Sequence, residues 1–166
     1  LKSLANKEID LDTDTLKVML CTSAYTPDQD AHQYKSSVTN EVSGTGYTAG
    51  GATLAGVTVT YTGATNTLTL DAADPSWASS TITARTAVIY DSTPATDATR
   101  PLIAYLQSDV DISSSGGAFT ITFDANGTAC TLGATCESGF CTDGVCCSAA
   151  CDGSCESCTE SGKEGT

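Results

Sequence analysis

The chain is short of basic residues. Seven Lys and Arg stand against twenty Asp and Glu, for a net charge of −13. That excess repels phosphate backbones and anionic headgroups, so it argues against nucleic acid and bare membrane as partners. It favours cations or basic surfaces, and plain solubility also accounts for it. Large apolar residues are sparse too, and Thr, Ser, Ala and Gly dominate. No run approaches bilayer-spanning length, and the longest apolar stretches, 86–90 and 102–106, are strand-sized. Histidine occurs once, as His32 in a polar, turn-forming segment. No serine sits in a Gly-x-Ser-x-Gly elbow, and no Walker loop or dinucleotide fingerprint occurs; Gly44 and Gly46 share a loop without strand–helix context. No catalytic residue and no cofactor is therefore assigned. The chain opens on Leu1 with no charged n-region before an apolar h-region, which is read as a cleaved or omitted N-terminus.

The nine cysteines divide the chain. Cys21 stands alone, while Cys130, Cys136, Cys141, Cys146, Cys147, Cys151, Cys155 and Cys158 crowd the last quarter. A tail with that many cysteines and almost no large apolar residues, Phe140 being the main one, cannot build a core and needs covalent staples. The boundary falls at the turn-forming pair Asn126-Gly127, giving a domain over 1–127 and a cysteine-rich module over 128–166.

The first region reads as all-β. Leu1, Leu4, Ala5 and Ile9 have helical spacing, which predicts a short N-terminal helix. Residues 10–14 alternate acidic and neutral and lead into a strand with Leu16, Val18 and Leu20 on one side and Lys17, Met19 and Cys21 on the other. Residues 29–42 read as a short helix or an irregular excursion, and Gly44, Gly46, Gly50 and Gly51 as a flexible turn-rich stretch. Val57, Val59 and Tyr61 alternate with threonines, and Leu68 and Leu70 continue the period after a turn at 63–66. Strands follow over 82–90 and 102–106, then a loop at 113–117 and a last strand carrying Phe119, Ile121 and Phe123. Six or seven short strands suggest a β-sandwich or jelly-roll-like domain.

Four features carry candidate chemistry. Eight tail cysteines allow four disulfides; the alternative is a zinc site using Cys155 and Cys158. Adjacent Cys146 and Cys147 suit one tetrahedral centre poorly and no histidine lies nearby, so disulfides are favoured. Cys21 is read as a small buried hydrophobe, with an intermolecular bridge or a bond to the tail as the sharper alternative. Asp10, Asp12 and Asp14 alternate as an EF-hand opening would, but Thr15 stands where its glycine belongs and Cys21 where its glutamate belongs. A solvated acidic face is the preferred reading over calcium. Asn126-Gly127-Thr128 fits the N-glycosylation pattern, a short match that often arises by chance.

The run Ile9-Asp10-Leu11-Asp12-Thr13-Asp14-Thr15-Leu16-Lys17-Val18 resembles the opening strand of small structural proteins of tailed bacteriophages. So does Tyr25-Thr26-Pro27-Asp28, and Glu41-Val42-Ser43-Gly44-Thr45-Gly46-Tyr47-Thr48-Ala49-Gly50-Gly51 is the most specific element. The likeness runs on through Ile82-Thr83-Ala84-Arg85, Ala87-Val88-Ile89-Tyr90, Pro101-Leu102-Ile103-Ala104-Tyr105 and Phe119-Thr120-Ile121-Thr122-Phe123-Asp124-Ala125-Asn126-Gly127, covering about residues 4–127. The resemblance implies a virion decoration, head-fibre or tail-associated component without catalytic residues. It implies partners that are copies of itself or a capsid, tail or filament scaffold, and a short N-terminal piece before Leu1. The tail segments Cys136-Glu137-Ser138-Gly139-Phe140-Cys141 and Cys151-Asp152-Gly153-Ser154-Cys155 instead resemble cysteine-rich modules of bacterial secreted and surface proteins. That implies an extracellular filament or surface adhesin subunit as the alternative to a virion location. A third reading, a carbohydrate-binding module, needs an exposed aromatic platform, for which Trp77 with Tyr25, Tyr34 and Tyr47 are the available pieces.

Overall fold

The computed structural model describes residues 2–123 and the paired segments 140–142 and 145–147. The chain divides into two compact units, Leu1–Ile121 and Thr122–Thr166. The first is all-β apart from one short helix, α1, over Lys2–Ala5.

The helix is shorter than the spacing of Leu1 to Ile9 predicts. Lys7 turns left-handed (φ 61°), Glu8 N–H bonds the Ser3 carbonyl at 2.9 Å and Lys7 N–H bonds Leu4 at 3.2 Å. These two bonds form a Schellman closure, which caps the last carbonyls and stops the helix. Residues 10–14, which lead into the first strand, form a turn. Asp10 N–H bonds the Asp14 carboxylate at 2.6 Å and Asp12 N–H bonds that of Asp10 at 3.1 Å, so side-chain acceptors hold a turn.

Strand β1 (Leu16–Cys21) lies inside a four-stranded antiparallel sheet of order β2-β1-β5-β6, where β2 is Ala52–Thr53, β5 is Ser76–Asp91 and β6 is Leu102–Thr120. Val18 pairs with Ile89 and Met19 with Val88. Both faces of this part of the sheet are buried, which explains why residues 87–90 carry apolar side chains without alternation. On one face Met19, Cys21, Tyr25, Val88 and Tyr90 cluster, with Val38 and Leu102 packed against them. The segment 29–42 is irregular, with a single 3-10 turn at Lys35–Ser37.

The serine- and glycine-rich segment 113–117 is not a loop but part of β6. Gly116 (φ 71°) absorbs one extra residue, so Ser80 faces Gly117 while Thr81 faces Ser115. Hydroxyl pairs span the two strands, Ser80 to Ser114 at 2.7 Å and Thr83 to Ser113 at 2.8 Å. Ser79 (φ 51°) makes the opposite bulge in β5, which puts Trp77 and Ser80 both in buried positions. The result is two strands longer than predicted, with β5 and β6 running 16 and 19 residues. Beside the sheet stands a separate ribbon, β3 (Thr58–Thr62) with β4 (Thr67–Asp71), joined through left-handed Asn66. In the second unit, β7 (Phe140–Thr142) pairs antiparallel with β8 (Val145–Cys147).

Candidate functional site

The ribbon β3–β4 gives the clearest surface of unmet chemistry. Directly opposed residues of an antiparallel pair share a face. Val59 opposes Leu70 and Tyr61 opposes Leu68, so one face is apolar. Thr60 opposes Thr69 and Thr62 opposes Thr67, so the other is hydroxyl-bearing. Tyr61 is 64% exposed and Leu68 58% exposed, and Leu70 is exposed as well. A lone two-stranded ribbon is marginal in water, and its apolar face gains only when something covers it.

A second stretch of this kind lies along β6, the outermost strand of the sheet. Tyr105, Leu106, Val110 and Ile112 are all exposed there, and beyond Leu102, whose N–H bonds the Gln33 carbonyl, no strand among the described residues pairs with its outer edge. Between Gln107 and Ile112 the register with β5 shifts, and Val110 N–H turns back to Ser108 Oγ at 3.2 Å. The alternation of Val110 and Ile112 with Asp109 and Asp111 could have marked this strand from the sequence. Arg85 Nε bonds Asp111 Oδ1 across the pair at 2.8 Å, an exposed ion pair.

The loop 41–51 is strapped to the sheet and is not the flexible stretch its glycines predict. Cys21 bridges Glu41, Thr45 bridges Thr81, and Val42 N–H bonds the Leu20 carbonyl at 2.9 Å. Glu41 Oε1 accepts Tyr47 Oη–H at 2.8 Å and Gly50 N–H at 2.6 Å, while Leu20 N–H donates to Tyr47 Oη at 3.0 Å. Burial holds the Tyr47 phenol well above its usual range, with the Glu41 carboxylate adding to the rise. Gly51 (φ 75°) must be glycine, because an added Cβ would run into the Val18 carbonyl and sit 2.7 Å from Met19 Cα.

A cleft of about 910 Å³ opens beside His32, bordered by Tyr25, Asp28, Gln33, Leu102 and Tyr105 among others. His32 Nδ1 lies 3.1 Å from Tyr25 Oη, and the two rings stack at 5.7 Å. Asp28 Oδ1 accepts the N–H groups of Ala31 (2.9 Å) and Asp30 (3.0 Å), which hold its carboxyl below the usual range. That carboxylate caps the turn on which His32 sits, and the hydroxyl hydrogen-bonded to His32 is the Tyr25 phenol.

The other predicted residues separate. Trp77 is 6% exposed, packed against Tyr47 at 5.8 Å and edge-on to Phe119 at 6.1 Å. Tyr25 is buried as well, so the aromatic platform a carbohydrate-binding module requires is not built from these residues. Cys21 is a free, fully buried thiol, pushed up to about 12 chiefly by burial and then by Glu41. Asp10, Asp12 and Asp14 lie in the turn before β1, and among the described residues no group of three or more His, Cys, Asp or Glu side chains forms a metal-binding cluster. Cys141, Cys146 and Cys147 fall on β7 and β8, with Cys141 opposite Cys146 in the backbone register. Cys130, Cys136, Cys151, Cys155, Cys158 and the predicted acceptor Asn126 lie outside the described residues. Sequence reasoning missed Asp91, a buried carboxylate hidden at the end of an apolar run.

No protein-family model, curated protein or solved structure matches the chain. Among the described residues, no helix is long and apolar enough to cross a membrane.

Proposed function

We propose that this chain is a structural subunit that self-associates, as a virion decoration or fibre component bound to a capsid or tail scaffold. The observation that carries the reading is the uncovered apolar face of the ribbon, with Tyr61, Leu68 and Leu70 turned to solvent in a single copy. A second copy is the natural cover. Its own ribbon presents the same apolar face, and symmetric assemblies bury one patch against its duplicate. The long free edge of β6 offers strand pairing as a further contact. In this reading the second layer of a β-sandwich is completed by a neighbouring subunit. The role is one of contact and not of catalysis.

A second reading, a secreted filament or surface adhesin subunit on the same domain, is favoured by the eight cysteines after residue 128. Disulfides persist outside the reducing cytosol. Both readings require self-association, with a virion or extracellular location. Sedimentation velocity on the full chain between about 1 and 100 µM tests them, since mass action must shift an associating system over that range. Growth of the sedimenting species with concentration is the expected result. A monomer throughout refutes both readings.

A further inference from the structure

Residues 33–35 run along the start of the outer edge of β6. Lys35 N–H bonds the Arg100 carbonyl at 2.8 Å, Tyr34 bridges Pro101 in antiparallel sense, and Leu102 N–H bonds the Gln33 carbonyl at 2.9 Å. Continued backwards along the chain, that register would set residues 28–32 against 103–107. The chain turns away instead. His32 N–H bonds the Asp28 carbonyl at 2.9 Å, and the Asp28 carboxylate takes the N–H groups of Asp30 and Ala31. A turn closed by its own aspartate satisfies those donors locally and leaves the strand beside it without a partner.

The space so vacated is the cleft of about 910 Å³. Strand β6 contributes Ile103, Ala104 and Tyr105 to its lining, and the turn contributes Asp28, Gln29 and Asp30. Buried Tyr25 and Val88 add apolar surface. Both aspartates are exposed, and among the described residues no Lys or Arg lines the cleft. Gln29 Nε2 reaches Tyr105 Oη at 3.4 Å, a long contact that a ligand's own hydrogen bonds can replace. From Ile103 to Gln107, where the register with β5 begins to shift, the edge offers roughly 17 Å of strand at about 3.4 Å per residue.

We propose that this cleft binds an extended basic peptide of a partner protein, which takes the place beside β6 that residues 28–32 leave and sets lysine or arginine side chains against Asp28 and Asp30. In strand addition of this kind main-chain hydrogen bonds supply affinity, and side chains at alternate positions supply specificity. A segment that alternates apolar and basic residues meets both the Tyr25–Val88 surface and the acidic turn. The chain's net charge of −13 draws a cationic segment towards it. Self-association through the ribbon uses none of these residues, so the two contacts stand or fall separately.

Fluorescence anisotropy of the full chain with a labelled hexapeptide alternating valine and lysine, in about 0.15 M salt, tests this. Saturable binding is expected. The same peptide with glutamate for lysine should bind at least about 10-fold more weakly, and so should one with N-methylated backbone amides, which has lost its main-chain donors. Asp30→Lys, at an exposed position in the turn, should weaken the lysine peptide about 10-fold, while Asp71→Lys on the ribbon leaves it unchanged. Absence of saturable binding overturns the proposal. Equal binding of the N-methylated peptide reduces the contact to charge attraction and overturns it as well. So does binding that Asp30→Lys leaves intact, which places the peptide elsewhere. The peptide comparisons use the wild-type chain, so they decide even where Asp30→Lys does not fold.

Discussion

Replacing Tyr61 and Leu68 together with lysine separates the fold from the assembly. In one copy the two side chains are 64% and 58% exposed, so the subunit itself loses little. Substitutions at such surface positions usually change stability by no more than about 0.5 kcal/mol. In an assembly that covers the ribbon, the exposed remainder of each side chain goes out of water. Full burial of a large apolar side chain is worth about 1.5–3 kcal/mol, and scaled by the fraction still exposed each contributes about 1–2 kcal/mol. Together that is about 3 kcal/mol per subunit, and because a symmetric dimer carries the loss twice the dissociation constant weakens roughly 10⁴-fold. Two lysines forced into a desolvated contact weaken it further. Sedimentation velocity reads the association, and thermal unfolding by circular dichroism, run at a concentration where the subunit is monomeric, reads the fold. Thr60→Lys, on the hydroxyl-bearing face, is the control and should leave both unchanged. An unchanged oligomer in the double variant refutes the reasoning. A collapse of the monomer's own unfolding midpoint refutes it too, because the pair would then belong to the subunit's core.

Gly51→Ala is expected to cost about 3 kcal/mol or more, since it adds left-handed strain to a collision with the β1 backbone; a loss below about 1 kcal/mol in urea unfolding would contradict the strapped loop. Cys21, fully buried with its thiol raised to about 12, should stay unmodified when the native protein is alkylated near pH 8 and react once urea opens the fold; peptide mapping reads the difference. Lys35, and then Arg100, depress the Asp97 carboxyl below 3.8, so its contribution is present above that value and is lost as pH falls through the lower folded value. Asp97→Asn should flatten that acid limb in midpoints measured between about pH 5 and 2, and an unchanged limb rejects the pairing. Intact mass before and after reduction should differ by about 8 Da if the eight tail cysteines form four bridges, whereas free thiols with stoichiometric zinc would reject them.

The residues announced the β character of the first unit plainly, and the reasons are local. Alternation at Val59, Tyr61, Leu68 and Leu70 comes from strands with one polar face, and Asn66 supplies the left-handed turn. The buried run ending at Tyr90 is long because both of its faces are covered. What stayed hidden was set by contacts distant in sequence. Residues 113–117 look like a loop because serine and glycine favour turns, yet hydroxyl pairs with Ser80 and Thr83 and a bulge at Gly116 keep them in the sheet. The glycines of 44–51 look loose, yet the space they leave is filled by the backbone of β1 and β5.

The position of β1 inside the sheet shapes how the polypeptide must be made. Its longest pairing is with β5, Leu16 against Asp91 and Cys21 against Thr86. A nascent chain that has just released Leu16, Val18 and Leu20 from the ribosome cannot close this ladder until some seventy further residues have emerged. At roughly 5–20 residues per second that interval lasts several seconds. During it, a short, mostly apolar segment stands bare in the crowded cytosol. A chaperone that recognises extended greasy peptides therefore has its natural handle at 16–21, and the cell's yield of this subunit should respond to chaperone supply more than to the stability of the finished sheet.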